Sequence, residues 1–234
     1  YTNYLYFPLA NENGAMSSIT PDLNGDFKTN QNTFLLLPVS AEDLHNSRAG
    51  RNFWLYIEGS GVWSISGNSA EQISHKFDKK SYEKVTLEGG FLYHKLTREN
   101  SRIGIKSETL NFVPCSDENV EIMQVTLKNT GNKSMIITPT AAVPIYGRSA
   151  DNIRDHRHVT SLLHRIYTSS YGVIVKPSLS FDERGHKKNN MVYSVQGAED
   201  NGDSPSGFFP VVEDYIGEGG NFENPLSVVC NLQN

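Results

Sequence analysis

The apolar residues of this chain recur at a spacing of two, and nowhere do they hold the spacing of 3.6 that an amphipathic helix needs. Successive side chains of a strand point to opposite faces, so a spacing of two buries one face of a sheet. The stretch VEIMQVTLKNTGNKSMIIT shows the pattern. Val120, Ile122, Val125 and Leu127 lie near one face, polar residues interrupt at 129–132, and Met135, Ile136 and Ile137 resume it. This predicts a β-hairpin, with Gly131 and Asn132 supplying the positive φ of a tight turn. Between Val85 and Val113, runs rich in Tyr, Phe, Ile and Thr are broken by Gly89-Gly90 and by the polar residues 98–101, which leaves no room for helices. IYTSSYGVIVKPSLSF and MVYSVQG read as further strands, with DERGHKKNN between them as an exposed loop. AEDLHNSR, from Ala41, is the best candidate for a helical turn, and the closing PLSVVC reads as a strand.

Many strands joined by short turns over 234 residues predict an all-β fold, a single antiparallel sandwich region spanning 1–234 and larger than an immunoglobulin domain. No internal repeat of fixed period appears, which disfavours propellers and solenoids. The longest apolar runs, FLLLPV and YGVIV, are too short to cross a membrane as a helix. A net charge of -5 argues against a nucleic-acid partner, because phosphate binding needs a basic face. Cys115 and Cys230 stand in no metal-ligand spacing, so we expect reduced thiols in a cytoplasmic setting, with neither a metal nor a disulfide framework. The abrupt opening YTNYLYFPLAN and the break after PLSVVCNLQN predict a piece of a longer chain.

Four segments hold more polar, aromatic and Gly residues than core packing requires. ANENGAMSSITPDLNGDFKTNQNTFLL reads either as an ordered functional loop system or as a solvated connection. RNFWLYIEGSGVWSISGNS places Phe53, Trp54, Tyr56 and Trp63 among small polar residues. Such rings suit the C–H faces of sugars, yet large aromatics serve cores more often, and core is the favoured reading for Trp54 and Trp63. The third segment, PIYGRSADNIRDHRHVTSLLHRIY, crowds Arg148, Arg154, Asp155, His156, Arg157 and His158 together. It admits an internal ion-pair network, a metal site on His156 and His158 that lacks a fixed third ligand, or a pocket or interface that reads sugar hydroxyls or an anion. The fourth, GFFPVVEDYIGEGGNFENP, carries Glu213 and Asp214. Adjacent residues on a strand face opposite ways and cannot form a paired-carboxylate centre. No nucleophile-elbow, phosphate-loop, HExxH or dinucleotide motif is present.

The segments YFPLANENGAMSSITPDLNGD, FLLLPVSAEDLHNSRAGRNFW, YGRSADNIRDHRHVTSLLHRI and GFFPVVEDYIGEGG resemble the amino-terminal β-sandwich region of glycoside hydrolase family 94, formerly glycosyltransferase family 36. Within it they look most like 1,2-β-oligoglucan phosphorylases and the carboxy-terminal regions of cyclic β-1,2-glucan synthases. The resemblance implies a β-supersandwich of the galactose-mutarotase type, incomplete at its carboxy-terminal end and normally followed by a helical linker and an α/α-barrel. It implies a phosphorylase that takes inorganic phosphate as co-substrate, needs no cofactor, and converts β-linked gluco-oligosaccharides to α-glucose 1-phosphate with inversion. The general acid belongs to the barrel, so this segment alone is expected to be silent. It further implies a homodimer whose sandwich approaches its own barrel or the partner subunit, with Arg148, Arg154, Asp155, His156, Arg157 and His158 as a substrate-binding or interface cluster and no membrane partner. Two alternatives from other classes stay open. One is a stand-alone carbohydrate-binding module, and the other a mutarotase-like epimerase using His156 or His158 as acid and Glu213 as base.

Overall fold

Antiparallel pairing joins every strand pair in the computed structural model, which describes residues 5–30, 33–37, 50–78, 82–149, 164–182 and 185–234. The first sheet takes β1 (Phe7–Ala10), β2 (Met16–Ile19), β3 (Phe27–Asn30), β4 (Thr33–Phe34) and the later β12 (Arg148–Ser149) in that order. The second holds β5 (Asn52–Ile57) between β6 (Gly61–Ser64) and β11 (Ile137–Ala142). The longest strands, β7 (Glu83–Gly90), β8 (Tyr93–Asn100), β9 (Ile105–Phe112) and β10 (Ile122–Asn129), run as a meander in the third. β13 (His164–Thr168), β14 (Gly172–Pro177) and β17 (Tyr193–Gln196) form a fourth, and β15 (Leu179–Asp182) with β16 (Gly185–Lys188) a two-stranded fifth. The all-β supersandwich class is thus as expected, although the strands divide among five sheets in the described residues rather than two. Long strands make one continuous layer, while the layers facing it are built from short strands that break register, as at the irregularity between Lys28 and Asn30.

Three of these sheets close one apolar core. Leu9, Ile19 and Phe27 enter it from the first sheet, Leu55, Ile57 and Trp63 from the second, and Leu96 and Ile105 from the third. A second cluster pins the last part of the chain: Trp54 and the outer side of the second sheet pack against Tyr215 and Val228. These two residues stand on α2 (Val212–Ile216) and α3 (Leu226–Val229). The remaining helix, α1 (Ala70–Ser74), is one turn long and is started by Ser69, whose hydroxyl accepts the Gln72 N–H.

Five sequence expectations are corrected here. Residues 120–138 do not form a hairpin: β10 pairs with β9, and β11 crosses to pair with β5 in another sheet. Pro139 explains part of this, since it lacks a donor and is tolerated on β11 only because that strand is an edge. The turn is held instead by the Asn129 side chain, which accepts from Gly131 N and donates to Lys133 O. Gly104, at φ 72, supplies the positive φ expected of Gly131 and Asn132 and receives the N–H groups of Thr130 and Gly131 on its carbonyl. On β10, Val125 and Leu127 reach the core whereas Ile122, of the other parity, is exposed. The tract DERGHKKNN contributes strand β16, because Gly185, at φ 121, allows a tight reversal onto β15. PLSVVC is helix α3, not a strand. AEDLHNSR lies outside the described residues.

Candidate functional site

A groove of about 1300 Å³ runs along the second sheet, with β13, β14 and β17 and the final segment bordering it. All four segments singled out in the sequence contribute to its lining: Asp22 and Asn24 from the first, Phe53 and Trp54 from the second, Pro144, Ile145 and His164 from the third, and Phe209, Tyr215 and Phe222 from the fourth. Its volume exceeds the roughly 300–1,000 Å³ of a small-molecule pocket, so its size fits a cleft for an extended ligand or a packing partner. Tyr215 braces one wall, its ring 6.4 Å from those of Phe209 and Phe222. Burial pushes the Tyr215 phenol up, with the Trp54 indole opposing it, and the pair misses hydrogen-bond geometry.

The charged stretch meets this groove through Pro144, Ile145 and His164. Arg148 sits on β12 opposite Phe34, at the edge of the first sheet. His164 opens β13, and its Nε2 lies 3.1 Å from Gly147 O, so the chain re-enters beside the point where it left. Burial lowers the His164 pKa, with the Gly147 carbonyl opposing it. Arg154, Asp155, His156, Arg157 and His158 lie outside the described residues. Glu213 and Asp214 are in the first turn of α2 rather than on a strand, and both are exposed. Neighbours on a helix point about 100° apart, so the conclusion that they form no carboxylate pair stands for a different geometric reason. Among the described residues no group of three His, Cys, Asp or Glu side chains is placed to hold a metal ion. Cys115 and Cys230 are free and exposed.

Two buried polar centres were missed by the sequence reading. Arg51, just before β5, forks onto Glu121, with its terminal NH2 2.6 Å from Oε2, and also donates to Ser17 Oγ, Gly25 O and Asp26 O. Next to this pair lies a polar strip on the inner face of the third sheet, where His94 pairs across β8 and β9 with Asn111 and Thr109 is a neighbour. Both His94 ring nitrogens, Thr109 Oγ1 and Asn111 Oδ1 are buried without a hydrogen-bond partner. The second centre is Glu83. Its Oε1 accepts from Trp63 Nε1 at 2.6 Å, Gln72 Nε2 at 2.9 Å and Asn100 Nδ2 at 3.2 Å, while Oε2 takes Arg98 at 2.7 Å. Arg98 spends its remaining donors on Ile65 O and Ser66 O. Of these residues, His94, Arg98, Asn100, Thr109 and Asn111 occupy the inward parity of β8 and β9, but a polar inward face looks like a solvent face when only hydrophobicity is read. Trp54 and Trp63 are both core residues, as favoured.

Comparison with families of known proteins matches residues 26–234 to the supersandwich domain of glycosyl hydrolase 94. No curated protein matches the chain. None of the described helices is long and apolar enough to cross a membrane.

Proposed function

The chain belongs to glycosyl hydrolase family 94 as a supersandwich domain, and on that premise we propose that it is the non-catalytic sandwich part of an inverting glycoside phosphorylase. The substrates in this reading are β-1,2-linked gluco-oligosaccharides and inorganic phosphate, and the product is α-glucose 1-phosphate. The observation that carries it is the family match over residues 26–234, and the particular linkage comes from the resemblance of the four quoted segments. The sandwich contributes by positioning substrate and by joining two subunits in a dimer. The groove beside Trp54 and Tyr215 supports that role, because it is larger than one sugar needs. Arg148 and the cluster from Arg154 to His158 are the proposed contacts to substrate or to a neighbouring surface. The parent protein, supplied with a β-1,2-glucan and phosphate, is expected to release glucose 1-phosphate in a phosphate-dependent manner. Absence of that product sinks the phosphorylase assignment.

A further inference from the structure

We propose that a second cavity, between helix α1 and the start of β7 and sharing Asp22 and Lys76 with the groove beside it, is a binding site for a neutral sugar. The cavity holds about 420 Å³, within the roughly 300–1,000 Å³ of small-molecule sites. Its floor is the Glu83 centre, in which one carboxylate gathers Trp63, Gln72, Asn100 and Arg98.

Charge decides the ligand class. Every ionisable side chain of the lining that can carry positive charge faces a carboxylate of the same lining. Arg98 meets Glu83 at 2.7 Å, Arg102 meets Glu71 at 2.9 Å, Lys76 meets Asp22 at 3.1 Å and His75 lies 3.9 Å from Asp78. Among the described residues of the lining, no cation is left over to hold a phosphate and no carboxylate is left over to hold an amine. Paired charges keep directional donors and acceptors for hydroxyl groups while presenting almost no net field, which favours a neutral, hydroxyl-rich molecule over an ion.

The rim supplies the other half of the chemistry. Phe77 is 89% exposed and Tyr82 is 59% exposed, and both line the cavity. Aromatic rings left in water gain nothing for the fold, whereas they offer the C–H face of a sugar ring a stacking surface. Tyr82 is held ready: the Arg102 guanidinium lies 5.7 Å from its ring centre, and Glu71 in turn fixes Arg102. A braced ring loses less freedom on binding than a loose one.

The test is calorimetric titration of the 234-residue chain with a β-1,2-linked gluco-oligosaccharide, a β-1,4-linked one and inorganic phosphate. The choice of the first sugar rests on the proposed function, and the second separates the two ideas. Sugar is expected to bind and phosphate is not. Tyr82→Ala and Phe77→Ala each weaken binding about tenfold, as loss of a stacking ring predicts, and Tyr82→Phe keeps it. Both rings are exposed, and an unchanged unfolding midpoint separates lost binding from lost fold. Binding of the β-1,4 sugar alone supports the cavity and counts against the β-1,2 reading. No binding of either sugar, or sugar binding that both alanine variants leave intact, overturns the site.

Discussion

His94 is completely buried on the inner face of β8, packed 5.2 Å from the Phe7 ring, with neither nitrogen hydrogen-bonded. Only the neutral imidazole suits that place. Burial, helped by the nearby positive charge of Arg51, lowers its pKa from 6.5 to about 4. The sign of the consequence follows from linkage. The unfolded chain takes up a proton near pH 6.5 and the folded chain does not until about pH 4, so stability is full above 6.5 and falls as the pH drops through that window. That depression corresponds to roughly 3 kcal/mol. Denaturant midpoints measured at pH 7 and pH 4.5 are therefore expected to differ less in His94→Leu than in the parent, leaving the part that His164 adds with the same sign. Equal pH dependence in both proteins would refute this account. The Arg51–Glu121 pair beside it is kept for a different reason. Removing either partner strands a charge with side-chain exposure of 3% and 8%, a loss of about 3–5 kcal/mol for a buried pair. None of this was legible in the sequence, because pairing across 70 positions depends on register that hydrophobic spacing does not fix.

At the scale of elements, the final segment is a strap. Helices of four and five residues have almost no stability of their own, so α2 and α3 exist because Tyr215 and Val228 dock on Trp54. The Tyr215 hydroxyl is buried without a partner, so its ring does the docking. Tyr215→Phe is expected to be neutral or slightly stabilising, while Tyr215→Ala loses about 3–5 kcal/mol as a large core aromatic does. Limited proteolysis reads the difference: residues 207–234 become cleavable in the alanine variant and stay protected in the phenylalanine one. Protection unchanged in Tyr215→Ala would mean the strap is held elsewhere. This is also where sequence reading failed most visibly. PLSVVC has the β-branched composition of a strand, and four residues are too few for any period to distinguish strand from helix. Strands β7 to β9, by contrast, are eight residues each, and the segment carrying them was readable as sheet. The partner of each strand was less readable. β10 and β11 are adjacent in sequence, but the edge position that tolerates Pro139 is beside β5.

For the whole molecule, the class was legible and the division of labour was not. Period-two spacing specified an all-β chain, and the four polar-aromatic segments do converge on one groove. The Glu83 cavity escaped notice because its members are scattered from Asp22 to Ile103 and meet only when α1 lies against β7 and β8. The proposed dimer gives a prediction at this scale: sedimentation equilibrium of the parent protein should report twice its chain mass, and a single-chain mass at micromolar concentration would exclude it. The charge of -5 leaves no general repulsion large enough to forbid such a pairing.

Asn11, in the turn after β1, donates its side-chain amide towards the carbonyls of Pro114, Ser116 and Glu118 at 2.9–3.3 Å, while Asn13 reaches the Asp117 carbonyl. These contacts span 103 to 107 positions. During synthesis the first hairpin must therefore wait for its anchor, because a ribosome adding about 5–20 residues each second takes about 5–20 s to deliver it. Until then the edges of β1 and β2 are open to any other strand in the cell, so this hairpin stays unsecured while the 103 positions from Asn11 to Pro114 are made, and the interval in which it needs a chaperone is set by that separation.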